Sequence, residues 1–202
     1  MRYLLFLALV AATPTAVHAQ DPEALAAQIA RATFQPDRAV ADSASQFEKE
    51  FDGGVARGAA GRTITPAMRA YLTRVRVAGR EELVRQMQAH AVPKVLAYIE
   101  GQYLANFSPS ELRDIAAFWT SPAGLAWTAA FQTAVLQGGG TVTPPAEHAS
   151  AIARYMGSAT GRKESAGSAA SRASMVQQMT DFMTRVRPKL DAAMATVERP
   201  AG

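Results

Sequence analysis

Residues 107–124 read FSPSELRDIAAFWTSPAG and lay out two helices with a tight corner between them. Ser108, Pro109 and Glu111 form a helix start, because serine caps the first turn, proline fits its first position and glutamate completes a capping box. Ser121-Pro122 ends this helix and starts the next. Between these two starts, apolar residues follow at the three- and four-residue spacing of one helix face: Leu112, Ile115, Ala116 and Trp119.

Helical patterns continue on both sides of this stretch. Further helix starts are expected at Asp21-Pro22, Thr65-Pro66 and Thr143-Pro144. Ala is frequent, β-branched residues are sparse, and no alternation of polar and apolar residues indicates a strand. The sequence therefore predicts an all-α protein, a small bundle of about six to seven helices.

Three residues are expected to disturb these helices. Gly79 allows a bend, Pro93 restarts or kinks the chain because it lacks an amide proton, and Pro188 bends the last helix. Residues 157–174 are rich in Gly, Ser and Ala, so a flexible linker and a weak helix both remain open there.

Part of the corner sequence occurs twice. Residues 115–124 (IAAFWTSPAG) match residues 152–161 (IARYMGSATG) at positions holding Ile, Ala, an aromatic residue, Ser and Gly, with an offset of 37. Both copies follow a proline-marked helix start. This pattern predicts a repeated helix–turn–helix unit with two similar corners side by side; the alternative is a chance match in an Ala-rich chain.

The first residues have the features of a secretory signal. Residues 1–19 combine an early arginine, a short apolar run and small residues before Gln20, so cleavage is expected between Ala19 and Gln20. We therefore expect the protein to be exported to a bacterial periplasm or secreted. The sequence predicts three parts in the remaining chain: an N-terminal helical segment (20–64), a core helical domain (65–161) and a C-terminal helix with a Ser/Ala-rich lead-in (162–202).

A second uncharged run is not predicted to span a membrane. Residues 115–146 lack charge, but Pro122, Gly124 and several hydroxyl side chains interrupt the run. Two amphipathic helices are therefore expected there, and no membrane span after removal of the signal.

The stretch 107–124 resembles the bacterial family known as domain of unknown function 2059. The residues that carry the resemblance are Phe107, Ser108, Pro109, Glu111, Leu112, Phe118, Trp119, Ser121, Pro122 and Gly124. The resemblance is specific over roughly twenty residues and extends over 65–161. It implies an exported helical protein and supplies no catalytic residues. The chain departs from the family pattern at Leu125-Ala126, where lysine is usual, and at Trp119, where tyrosine is.

The sequence lacks the residues that most catalytic and metal-binding sites require. Cys is absent and the His residues are only three and scattered, so we expect no metal site, no cofactor and no catalytic set. One enzymatic alternative remains, a hydrolase-like centre using Glu111 and Asp114. The simpler interpretation of Glu111 is its role in the capping box.

Positive charge is concentrated in one segment. Residues 57–85 hold seven Arg against two Glu, and Arg69, Arg76 and Arg80 are spaced to share one helix face. Such a stripe suits an anionic envelope component, such as lipid headgroups, lipopolysaccharide phosphate or peptidoglycan. The alternative is an ordinary solvated face. Nucleic acid is not expected as a partner of an exported protein.

Aromatic residues are concentrated around the corner, where Trp119 and Trp127 are the largest. Core packing explains them most simply. The functional alternative is an apolar groove or self-association face at this corner, and another envelope protein is a candidate partner for it. The sequence therefore predicts a non-catalytic binding or envelope-associated module. Its alternatives are the hydrolase-like enzyme and a purely self-associating helical module, and the oligomeric state stays open.

Overall fold

A computed structural model of the chain describes residues 21–136 and 142–200. The expected signal segment, 1–19, and its cleavage site lie outside the described residues. The helices are α1 (Pro22–Phe34), α2 (Pro36–Gly58), α3 (Pro66–Gln86), α4 (Val92–Asn106), α5 (Pro109–Trp119), α6 (Pro122–Leu136), α7 (Ala149–Met156) and α8 (Ala159–Ala195).

Two short segments complete the architecture. A π-helical turn, Met87–Ala91, joins α3 to α4 without a break, and a 3₁₀ turn, Ala146–His148, leads into α7. The described residues thus form seven separate helices and contain no strand, which confirms the predicted all-α bundle. In the same residues, no helix is long and apolar enough to cross a membrane.

Local capping explains where α1, α3 and α5 begin. The start expected at Thr143-Pro144 is wrong, because the chain there is not helical and α7 begins only at Ala149, after the 3₁₀ turn. The Asp21 carboxylate accepts from the Glu23 amide, and the Thr65 hydroxyl accepts from the Met68 amide. At α5 the predicted capping box is complete: the Glu111 amide donates to Ser108 Oγ, and the Ser108 amide donates to Glu111 Oε2 at 2.8 Å. These bonds satisfy backbone donors that have no partner inside the helix.

The long helix formed by α3, the π turn and α4 runs antiparallel to α8. Arg74 donates to the carbonyl of Glu198 near one end of the pair, and Tyr103 donates to Glu164 near the other. Residues 159–174 are the first part of the long helix α8. Of the two predictions for this Ser/Ala-rich stretch, the helix is the one observed.

All three residues that were expected to disturb the helices lie inside helices: Gly79 in α3, Pro93 in α4 and Pro188 in α8. Gly79 is buried within α3, and a Cβ there would lie 2.5 Å from the ring of Phe47 and 3.1 Å from Met194. Its missing side chain lets α2 and α8 approach α3. Pro93 lies inside the continuous helix, directly after the π turn, so the chain does not stop there.

Apolar side chains form a core in three adjoining clusters. The first lies between α2, α3 and α8, the second between α1 and α5, and the third at the corners. Their most buried large members are Leu25, Ile29, Met87, Leu112 and Ile115. Burial of such side chains contributes about 1.5–3 kcal/mol each, so the N-terminal helix is an integral part of the bundle.

The predicted repeat is present in the fold. The helix ends Trp119 and Met156 are separated by the same 37 residues as the helix starts Pro122 and Ala159. In the first corner, the hydroxyl of Ser121 donates to the carbonyl of Phe118 at 2.6 Å and accepts from the Gly124 amide at 3.2 Å.

The second corner repeats these bonds. Ser158 donates to the Tyr155 carbonyl at 2.7 Å and accepts from the Gly161 amide at 3.0 Å. A Cβ on either Gly124 or Gly161 would collide with the carbonyl oxygen that the serine binds. Both glycines are therefore required by the close approach of two backbone segments, and the repeat is structural.

Candidate functional site

A carboxylate lies at the centre of the aromatic corner. Trp119 Nε1 donates to Glu164 Oε1 at 2.8 Å, the Tyr103 hydroxyl donates to the same oxygen, and the Tyr155 hydroxyl donates to Oε2 at 2.5 Å. The donors come from α4, α5 and α7, whereas Glu164 belongs to α8. One side chain therefore ties four helices together through hydrogen bonds to a charged acceptor, the stronger kind.

The environment keeps both phenols protonated. Burial raises the pKa of Tyr103 well above its ordinary value, and the adjacent Glu164 carboxylate raises it further. Burial and the same carboxylate also raise the pKa of Tyr155. A tyrosine that loses its proton only at strongly alkaline pH serves as a hydrogen-bond donor and not as a base. The hydrogen bonds at this corner therefore have a structural role, which is to hold the helices together.

Glu111 is held in its ionised form. Lys163 Nζ lies 2.8 and 2.9 Å from its two carboxylate oxygens. This bond, followed by those from the amide and hydroxyl of Ser108, lowers the pKa of Glu111 to about 2. An acid with so low a pKa does not deliver a proton near neutral pH, so the geometry favours the capping role over a hydrolase role with Asp114, which is exposed.

The two tryptophans are both partly buried. Trp119 packs against the clusters of α1–α5 and of the corners, and Trp127 packs against the corner cluster. Phe118 stacks on Tyr155 within the same cluster, and Phe107 lies beneath the Lys163 ammonium at 4.8 Å. The aromatic residues predicted for binding or for the motif therefore contribute to the interior of the described bundle.

Arg69, Arg76 and Arg80 of the predicted stripe lie on α3, and acidic residues of α2 partly neutralise their charge. Arg76 binds Asp52 at 3.0 Å, and Arg80 Nε lies 3.4 Å from Glu48 Oε1. Arg69 is exposed, with no acidic group within 4.0 Å in the described part of the chain. Arginine spacing alone could not reveal these acids, because the packing of α2 on α3 joins residues more than twenty positions apart.

An open recess of about 550 Å³ lies next to the stripe. Its lining residues are Arg80, Glu81, Val84, Arg85, Gln88 and Ala89. The side chains combine two guanidinium groups and one carboxylate with an aliphatic floor.

A buried polar network anchors one arginine of this recess. Arg85 pairs with Glu82, which is only 5 % exposed, while the Arg85 side chain itself is 72 % exposed. Gln86 Nε2 donates to the same carboxylate at 2.9 Å, and Lys189 of α8 donates to Gln86 Oε1 at 2.8 Å. The buried carboxylate therefore fixes Arg85 in place while leaving its guanidinium open to solvent.

The described residues contain no group of three His, Asp or Glu side chains placed to hold a metal ion. In comparisons with known proteins, no family model, no curated protein and no solved structure matches the chain. The resemblance of residues 107–124 to the family of unknown function therefore stays a prediction.

Proposed function

We propose that the protein is an exported, non-catalytic binding module that associates with the anionic surface of a bacterial envelope through the recess over α3. One observation carries this proposal: Arg80 and Arg85 line the same recess as the aliphatic residues Val84 and Ala89. A lipid surface offers the complementary combination of phosphate groups and apolar chains.

Both arginines are available to an anion. Arg85 is largely exposed although it pairs with Glu82. The pair between Arg80 and Glu48 is exposed on both sides, 47 % and 39 %, and such pairs contribute only about 0–1 kcal/mol. A phosphate group can therefore replace Glu48 at Arg80. The exposed Arg69 adds another positive charge on the same helix face.

The envelope location is supported by the sequence features of residues 1–19. The non-catalytic assignment is supported by the state of Glu111, which is engaged by Ser108 and Lys163 and carries a pKa of about 2. Light scattering on the purified protein separates this proposal from the self-associating alternative, for which a defined oligomer in the absence of any ligand is expected.

Charge reversal tests the proposed surface. The double variant Arg69→Glu, Arg80→Glu should bind phosphatidylglycerol vesicles at least about tenfold more weakly than the unaltered protein. The matched control is the double variant Arg31→Glu, Arg187→Glu, which reverses two exposed arginines on α1 and α8, makes the same change of net charge and should bind unchanged. Equal binding by the double variant and the unaltered protein would contradict the assignment of the recess.

A further inference from the structure

A second, smaller recess lies beside the π turn, between the long helix and α8. His90 and Lys94 line it from the long helix, and Gln178 and Arg185 line it from α8, over a floor that includes Val95 and Phe182. Its volume is about 10 Å³, enough for one oxygen atom. It is separate from the recess over α3, and the two share no lining residue.

The ionisable side chains that line this recess are all basic. His90, Lys94 and Arg185 are exposed, and within the described residues none of them lies within 4.0 Å of a carboxylate. Asp181, one turn before Arg185 on α8, accepts a hydrogen bond from Gln177 at 2.9 Å. Lys94 and Arg185, which lie here without an acid in the lining, attract an anion and are stabilised by it.

The recess also contains an unpaired acceptor. Gln178 Oε1 is buried without a hydrogen-bond partner, whereas its Nε2 donates to Ser174 Oγ at 3.4 Å. A buried acceptor left without a partner costs about 1–3 kcal/mol. A ligand that brings a hydroxyl hydrogen to this oxygen removes the cost, so the favoured anion carries both negative charge and an O–H group.

The backbone supports a functional interpretation of this place. His90 belongs to the π-helical turn Met87–Ala91, and π turns inside α-helices occur frequently at functional sites.

We infer that this recess is a binding site for a phosphate group that carries a P–OH, either as free phosphate or as a phosphate monoester. Lys94 and Arg185 donate to its charged oxygens, and Gln178 Oε1 accepts from its hydroxyl. Sulfate has a similar size and shape but no proton at neutral pH, so it leaves Gln178 unpaired. The site therefore discriminates phosphate from sulfate.

The test is an NMR titration of the purified protein at about pH 5.5 and constant ionic strength, where inorganic phosphate and a phosphate monoester both carry a P–OH and sulfate does not. Inorganic phosphate, glycerol phosphate and sulfate are the separate ligands. Saturable shifts of backbone amides around residues 90–95 and 178–186 are expected with a phosphate ligand, and at least about tenfold weaker binding with sulfate. Whether inorganic phosphate, glycerol phosphate or both bind identifies the source of the phosphate group.

Matched variants assign the binding to its residues. Arg185→Gln should weaken phosphate binding at least about tenfold, whereas Arg187→Gln, an exposed control on the same helix, should not. Gln178→Met should lower phosphate affinity to that of sulfate. Equal affinities for phosphate and sulfate in the unaltered protein, or shifts that are absent or lie elsewhere, would overturn the inference and leave the proposed envelope binding untouched.

Discussion

The rings of Phe118 and Tyr155 lie face to face, with centroids 3.8 Å apart and an angle of 4° between their planes. The two residues occupy equivalent positions in the two corners, 37 residues apart. Each precedes a serine that binds the aromatic residue's own carbonyl. The two helix–turn–helix units thus meet through their matching aromatic side chains, as expected when neighbouring repeats bury their apolar faces against each other.

Alanine at either corner glycine should destabilise the fold. The added Cβ of Gly124→Ala or Gly161→Ala would collide with a backbone carbonyl, and relief of such overpacking costs about 1–3 kcal/mol. Gly101→Ala is the control, because it lies in α4 with open space around it and should stabilise the helix by about 0.5–1 kcal/mol. Urea unfolding measures all three; equal effects at 101, 124 and 161 would contradict the account of the corners.

Removing a hydrogen-bond donor to Glu164 should weaken the contact between the helices that this carboxylate links. In Tyr103→Phe or Tyr155→Phe the charged acceptor loses a hydrogen bond, which costs about 1.5–3 kcal/mol. Tyr98→Phe on α4 serves as the matched control and should change the free energy of unfolding by less than about 0.5 kcal/mol. If all three variants unfold at the same urea concentration, Glu164 is not a structural centre.

Acidification should remove the stabilising contribution of Glu111. The pKa of this carboxyl is lowered in the folded protein from 4.5 to about 2, so its contribution is present above pH 4.5 and is lost as the pH falls towards 2. The Glu111→Gln variant should therefore lose less stability than the unaltered protein over this interval. Thermal unfolding at several pH values measures the difference, and identical pH dependences would contradict the assigned pKa.

Export should yield a shortened chain. When the full sequence is expressed in a bacterial host, the protein is expected in the periplasmic fraction with Gln20 as its first residue. Mass spectrometry of the intact protein identifies the cleavage position. A full-length product that stays in the cytoplasm would contradict the export prediction.

Local sequence signals predicted the parts of this structure that depend on neighbouring residues. The starts at Asp21, Thr65 and Ser108 were predictable because each capping group binds an amide two or three residues away. The repeated corner was predictable for the same reason, since Ser and Gly make their bonds within one turn.

Contacts between residues that are far apart in the sequence were not predictable in this way. Glu164 was not singled out, because its donors Tyr103 and Trp119 lie 61 and 45 residues away. The acids that partly neutralise the arginine stripe come from a neighbouring helix. The recesses depend on which helices pack together, so arginine spacing identified only Arg80 of the recess over α3 as a candidate binding residue.

Sedimentation with vesicles of phosphatidylglycerol or phosphatidylcholine, at low and at high salt, tests the proposed envelope association. The account predicts binding to the anionic vesicles at low salt, loss of most of this binding at high salt, and little binding to the zwitterionic vesicles, because phosphate contacts to Arg80 and Arg85 are screened by salt. Absence of binding to phosphatidylglycerol vesicles at low salt would contradict it.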